Sequence, residues 1–345
     1  MSPDIEWADT QLEKVSRTFA LSISYLPDTH EQQMTLAYLL CRIPDTIEDT
    51  DRLTSEEKIS LLSQYNETLL QEKDGSEFRD SVEQHISPTD VSDNPDWRLV
   101  FEVERLLTIL HSRPKDEQEV MKKWVSELTV GMAEFMGRDS DKVGVRIESF
   151  AELDEYCYYV AGTVGHMIID LLDVTYDVSY EDVSKEELHI LGREYGLLLQ
   201  YVNIVKDVYD DYHSEDNIYI PSELVEEYGL SQTEFASTAH THTDAIISEV
   251  IEYADSYFES SNSFLNWLLD NKPSAYKGWA IPHFLAVASM RELRENAGLA
   301  TSETEVKINR EEVLEIVQNI DDFSVEELNS MILQSTGASH HETTA

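Results

Sequence analysis

The chain has 345 residues, 41% of them hydrophobic, enough to bury a sizeable core in one large domain or two and too many for disorder. Its 25 basic and 69 acidic residues leave a formal charge of −44, which argues against a nucleic-acid partner because phosphate binding needs a basic face. Such an excess repels itself in dilute salt and suits a cytoplasm of very high ionic strength, where screening acts within about 3 Å at 1 M, so a halophilic archaeon is the expected source.

Cys41 and Cys157 lie in apolar helical runs and read as buried thiols of a reducing cytosol, not as a disulfide framework. Residues Met1 to Phe19 show neither a basic stretch nor an apolar core of the kind a signal peptide needs. No run approaches the roughly 18 apolar residues of a membrane span. The expected location is the cytoplasm, with peripheral membrane contact the most that is foreseen.

Long segments of helical period with short breaks, and no alternating strand pattern, predict an all-α single domain over residues 1–333 and a polar, disordered tail at 334–345. A first helix is expected from Asp9 through Tyr25, stopped by Leu26-Pro27, and a second over His30–Ile43. Thr54-Ser55-Glu56-Glu57 has the form of a capped helix start. Lys73 to Asp96 reads as an irregular connection around a short helix, and the amphipathic runs Asp96–Leu110 and Glu117–Met136 are separated by Pro114. Ser149–Asp173 carries Gly162 and Gly165, each costing about 1 kcal/mol relative to Ala, so close approach of another helix or a ligand is expected there. Glu186–Val208, Ser222–Tyr228, Ser231–Leu269, Lys277–Asn296, Val306–Ile320 and Ser324–Leu333 complete the series.

Two of these helices deliver acids at their C-terminal ends. Asp207, Asp210 and Asp211 fall at i, i+3 and i+4, one face of a helix whose upstream part is largely apolar. Asp45 and Asp49 fall at i and i+4 with Glu48 between them, after the apolar run Leu36 to Ile43. Clustered carboxylates repel unless a cation lies between them, and Mg²⁺ typically takes one or two carboxylates plus substrate phosphates. Placed face to face across a bundle, the two clusters would hold Mg²⁺ and the diphosphates it bridges. Solvated acidic helix ends are the plain alternative in a chain this acidic.

Six blocks in order, spanning roughly residues 16 to 310, resemble the squalene/phytoene synthase family: Ser16-Arg17-Thr18-Phe19, Asp45 to Asp49, Gly131 to Phe135, Tyr156 to Gly165, Gln200 to Asp211, and Ala280-Ile281-Pro282-His283. Members are all-α isoprenoid synthases that join two prenyl diphosphates through their C1 ends. Asp45-Thr46-Ile47-Glu48-Asp49, Gly131-Met132-Ala133-Glu134-Phe135 and Val306-Lys307-Ile308 look more like the squalene synthase branch, whereas Tyr158 to Gly165 fits phytoene synthases equally well. The resemblance therefore implies either squalene formation from two farnesyl diphosphates with Mg²⁺ and NADPH, or phytoene formation from two C20 diphosphates without NADPH. An acidic helical scaffold is the non-enzymatic alternative.

The resemblance also implies roles. Asp45, Asp49, Asp207 and Asp211 would bind Mg²⁺, with Asp210 a further ligand or a support and Glu48 a support. Ser16 and Arg17 would meet diphosphate, exposed helix positions being the plain alternative; Tyr156, with Tyr159 as the competing choice, would handle the proton lost on forming the presqualene cyclopropane; Arg42, by its place beside the first acids, would pair with them or with phosphate. Phe19, Met132, Phe135, Val160 and Leu199 would line a dry cavity, with Gln200 and Asn203 in the substrate-binding set and Ala161, Gly162 and Gly165 making room. Lys206 stands where an Arg is usual and Asn217 where another is common, so one bidentate phosphate donor becomes monodentate and one is missing. No Gly-x-Gly-x-x-Gly follows a strand, so NADPH would rest on isolated basic residues, Lys307 and Arg310. Alternatively these two pair with Glu311, Glu312 or Glu315 on a surface helix. His240, His242, His340 and His341 read as surface residues. On dialysis from molar salt into dilute buffer the protein is expected to lose its helical circular dichroism and its activity; retention of both would refute the halophilic reading.

Overall fold

A computed structural model describes residues 3–335 apart from 90, 139–143, 177, 179, 181–182 and 238–240. The expectations for His240, His340, His341 and the tail beyond residue 335 lie outside the described residues. The chain is all-α; among the described residues there is no strand, only one isolated parallel bridge between Arg146 and Ile218.

The first expected helix is two: α1 (Pro3–Val15) and α2 (Arg17–Ile23). Ser16 separates them because its extended backbone and its side chain, which accepts from the Phe19 amide at 3.2 Å, cap α2. Helix α3 (Asp28–Asp49) does not stop at Ile43 but passes through Pro44, so the first acids sit on the helix itself. Proline has no amide hydrogen for the carbonyl one turn back. That carbonyl, of buried Leu40, accepts instead from the Tyr65 hydroxyl at 2.8 Å. Tyr65 comes from α4 (Ser55–Leu70), which starts with the expected capping box of Thr54 and Glu57.

The connection after α4 holds α5 (Ser76–Glu83), and the next amphipathic run breaks at Glu102 into α6 (Pro95–Phe101) and α7 (Val103–Ser112). Helix α8 (Lys115–Arg138) packs on α4. The tyrosine- and glycine-rich stretch is not one helix: α9 (Phe150–Cys157) leads through a π-turn (Tyr158–Gly162) into α10 (Thr163–Thr175). Wide turns of this kind are frequent at functional sites.

Helix α11 (Lys185–Glu215) runs well past Val208 and stops at Asp216, whose φ of 59° is left-handed. It packs against α9, α10 and the elements that follow: α13 (Gln232–Ser237, after α12, Ser222–Glu227), α14 (Thr243–Ala254), α15 (Phe258–Asn271) and α16 (Pro273–Glu295). The single helix expected over Ser231–Leu269 is thus three, with a short 3₁₀ turn at Asp255–Tyr257. Glycines set the closest of these contacts: a Cβ at Gly165 would lie 1.9 Å from the Gly192 carbonyl oxygen, so α10 and α11 meet backbone to backbone. Helices α17 (Arg310–Asn319) and α18 (Val325–Gln334) close the chain, α17 starting later than Val306 because Asn309 caps it. The expected tail begins inside α18, since Gln334 is helical and the Ser335 hydroxyl takes a hydrogen bond from Arg291.

Tyr65→Phe removes one hydroxyl and leaves the buried Leu40 carbonyl without a donor. A destabilisation of about 1–3 kcal/mol is expected, read from the denaturant midpoint.

Candidate active site

A cavity of about 260 Å³ lies between α2, α3, α8, the π-turn, α10, α11 and α16. Its walls include Phe19, Met132, Val160, Ala161, Gly165 and Leu199, all expected there, and its polar lining includes Tyr38, Arg42, Asp45, Gln200 and Asn203. Cys41 also reaches it and is only half-buried, while Cys157 is buried; both are free thiols. Two expected wall residues lie elsewhere. Gly162 is packed against Tyr158, Arg193 and Leu197, so it serves helix contact. Phe135 stands edge-on to Tyr156, ring centres 5.3 Å apart.

Ser16 and Arg17 part company. Ser16, half-buried at the start of α2, caps that helix, and the Tyr38 phenol lines the cavity. Arg17 is exposed and lines a separate cleft with Asp9, Glu13 and Glu31. Ser16 takes the cap, Phe19 turns toward the cavity, and Arg17 lies outside the cavity lining. Arg42 is held between Asp45, with which it forms an ion pair, and Asp96, whose carboxylate accepts from its Nε at 2.8 Å.

The acids of α3 and α11 converge. Asp49 is pushed well above the ordinary carboxyl range by burial first, then by Asp45, Glu215 and Glu48. Asp211 rises to about 9 through burial and the fields of Glu215 and Asp207. Glu215, raised to about 7, feels Asp45 from the facing helix. Glu215 was not foreseen, although Asp207, Asp211 and Glu215 follow one another at i+4 and the signal was in the chain. It was hidden by ending the helix at Val208. Asp207 pairs with Lys206 at 3.0 Å, and Asp210 lies off this stripe and exposed to solvent.

Lys58 also escaped the sequence reading. It is 2% exposed, and its ammonium donates to the Glu48 carbonyl at 2.6 Å beneath the acids. Glu48 itself is buried and raised to about 8, by burial and then by Asp45. Its carboxylate lies 3.5 Å from the Tyr156 hydroxyl, which is 3.0 Å from that of Tyr219. Burial holds both phenols well above their ordinary range, so they remain protonated.

Asn217 is not an empty place in a phosphate grip but a clip. It is buried, its side-chain oxygen accepts from the Val145 amide at 2.8 Å, and its amide donates to Glu215 at 3.1 Å. At the same corner Arg146 pairs with Asp216 at 2.6 Å. Lys307 is exposed and paired with Glu305, not with the acids of α17. Its segment lies across the end of α11: Glu305 acts on Asp207, and Glu303 accepts from the Tyr209 hydroxyl at 3.2 Å. Arg310 is exposed at the start of α17.

The donor set fits divalent cations. Buried carboxylates from two helices face one another, and the nearby cations Arg42, Lys58 and Lys206 are few. Among the described residues no three metal-type side chains close on a common point. Mg²⁺ commonly completes its shell with water and substrate phosphate, so such a set suits an ion shared with a polyphosphate.

Fold and site together define an all-α protein whose apolar cavity opens beside acids from two facing helices. Residues 12–312 match the profile described as Squalene/phytoene synthase, and the chain belongs to that family. It is 29% identical over 245 residues to the Botryococcus squalene synthase of Botryococcus braunii, covering 69% of this chain and 47% of that one. With the squalene synthase of Schizosaccharomyces pombe it shares 23% over 334 residues, 96% of this chain and 68% of the other. The chain thus spans about half the length of the first relative and about two thirds of the second. The fold matches a solved ligand complex of TcSQS with a TM-score of 0.77 and 23% identity, covering 96% of this chain and 89% of that one.

The raised carboxyls set a pH dependence. From ordinary values of 4.5 for Glu and 3.8 for Asp, Glu215, Glu48 and Asp211 move to about 7, 8 and 9, so the folded chain holds these protons more tightly than the unfolded one. Their contribution is complete below the ordinary carboxyl range and is lost as pH rises through the folded values. Without divalent cation, the melting temperature at fixed molar salt is expected to fall between about pH 6 and 9, where ordinary carboxyls no longer titrate. Mg²⁺ should restore it, more at pH 9 than at pH 6, and Asp211→Asn should flatten the slope. A flat profile in the metal-free protein would contradict the crowding described above.

Proposed function

We propose that the chain is a prenyltransferase of squalene synthase type, joining two farnesyl diphosphates through presqualene diphosphate to squalene with Mg²⁺ and NADPH. The observation that carries this reading is the convergence of Asp45, Asp49, Asp207, Asp211 and Glu215, from α3 and α11, beside an apolar cavity. Such an arrangement separates the two halves of a prenyl diphosphate: the charged head meets the acids and the tail enters the apolar space.

Mg²⁺ held by these carboxylates supplies neutralisation of the charge on the departing pyrophosphate. The remaining work belongs to the chain's own side chains. Phe19, Met132, Val160 and Leu199 exclude water from the tails and from cations that water would quench. Arg42, already held by Asp45 and Asp96, and Lys206 stand beside the acids as the cations nearest an incoming phosphate. Tyr38, Gln200 and Asn203 supply polar contacts at the cavity wall. Tyr156, protonated and within reach of Glu48 and Tyr219, is placed to take part in moving the proton released on cyclopropane formation.

NADPH supplies the hydride of the second half-reaction, and Lys307 and Arg310 are exposed to meet its phosphates, Lys307 on the segment bordering Asp207. The apolar product accounts for peripheral contact with a membrane; among the described residues no helix is long and apolar enough to cross one.

The test is incubation in molar salt with C15 or C20 diphosphate and Mg²⁺, with and without NADPH, followed by chromatography of the products. Squalene from C15 diphosphate, dependent on NADPH, and presqualene diphosphate in its absence, are expected. Asp207→Asn should remove both. A C20 preference indifferent to NADPH would make the enzyme a phytoene synthase, and no product from either substrate would overturn the enzymatic reading.

A further inference from the structure

Tyr219 belongs to no helix and to none of the blocks that identify the family, yet it touches the residue placed closest to the proton chemistry. Its ring stacks on that of Tyr156, centres 4.7 Å apart and planes 27° from parallel, and the two hydroxyl oxygens are 3.0 Å apart. Both side chains are buried, at 6% and 3% exposure, so neither hydroxyl has bulk water as a substitute partner. We propose that Tyr219 is a positioning residue that sets where the Tyr156 hydroxyl sits and which way its proton points. The inference rests on the reading that Tyr156 handles the proton.

The argument is one of hydrogen count. A phenol carries one proton and can donate once. Tyr156 has two oxygens near its own, Tyr219 at 3.0 Å and Glu48 at 3.5 Å. The shorter contact is a normal hydrogen bond and the longer one lies at the limit. When the Tyr156 hydroxyl donates toward Glu48, the Tyr219 hydroxyl can donate to a lone pair of the Tyr156 oxygen; when Tyr156 donates toward Tyr219, the Tyr219 oxygen accepts. The hydroxyl of Tyr219 thus holds Tyr156 in either orientation, and a phenylalanine there would not.

The backbone around Tyr219 is fixed well enough for this duty. Ile218 donates to the Val145 carbonyl at 2.9 Å, and Ile147 donates back to Ile218 at 3.3 Å. Asn217 donates to the Asp211 carbonyl at 2.9 Å, tying the segment to the end of α11 that carries the second acid stripe. Tyr219 therefore moves with Asp211, while Tyr156 moves with α9. The contact between them registers one part of the site against the other.

The test compares wild type, Tyr156→Phe, Tyr219→Phe and the double variant as full chains in molar salt, measuring initial rates of presqualene diphosphate formation from C15 diphosphate with Mg²⁺ and no NADPH. Phenylalanine keeps the stacked ring but leaves the partner hydroxyl short of a hydrogen bond, so a modest fall in melting temperature is expected, with each variant fully folded at the assay temperature. Tyr219→Phe should lower kcat by at least about tenfold with KM altered less than about twofold, and should cost nothing further on the Tyr156→Phe background, because residues acting as a unit are not additive. A Tyr219→Phe enzyme at full rate beside an impaired Tyr156→Phe enzyme would overturn the inference alone. So would losses that multiply in the double variant, or a loss confined to KM or accounted for by the fraction unfolded at the assay temperature. Tyr156→Phe at wild-type rate would overturn the parent reading, and this inference with it.

Discussion

Crowded carboxylates at the junction of α3 and α11 are the constraint to which the surrounding structure answers. Glu48, Asp49, Asp211 and Glu215 are largely removed from water, and each is pushed above the ordinary carboxyl range by burial first and by its neighbours second. A folded chain gains nothing from such a cluster by itself, since like charges in a low dielectric repel strongly. It persists because two long helices are held by packing elsewhere, and their ends have no freedom to separate. The unfavourable electrostatics are relieved by whatever positive charge enters the cluster, which is the physical basis of the proposed metal binding.

Holding those helix ends in place depends on a few backbone devices. Pro44 would normally stop α3 before its acids. The hydroxyl of Tyr65 takes over the one hydrogen bond the proline removes, and the helix carries Asp45 and Asp49 onward on one face. On α11 the extension past Val208 brings Glu215 into the same stripe as Asp207 and Asp211. Its end is then pinned by Asn217, Arg146 and the short pairing of residues 145–147 with 217–218. Between the two helices, the approach of Gly165 to Gly192 seats α10 on α11, and the π-turn before it brings Val160 and Ala161 to the cavity.

A chain of −44 has few cations to spend, and their distribution near the site is telling. Arg42 is engaged by Asp45 and Asp96, Lys206 by Asp207, and Lys58 lies buried under Glu48. They leave the site acidic on balance, which favours metal-borne phosphate over bare phosphate. Arg17, which the family resemblance places on diphosphate, lines a second cleft.

The sequence by itself determined the class of fold and the pairing of Asp45 with Asp49 and of Asp207 with Asp211, each on one helical face. These follow from periodicity, a property of residues three and four apart that is already present before the chain folds. Phe19, Met132, Val160 and Leu199 are legible only through the family resemblance, since helical period by itself does not tell a cavity wall from ordinary core. What only the tertiary structure decided were outcomes set by distant partners. The continuation of α3 through Pro44 depends on Tyr65. The burial of Lys58 and the stacking of Tyr219 on Tyr156 depend on which helices and corners meet. Hydrogen bonds and fields across such junctions reward contacts that no local pattern encodes, so they are readable only once the helices are packed.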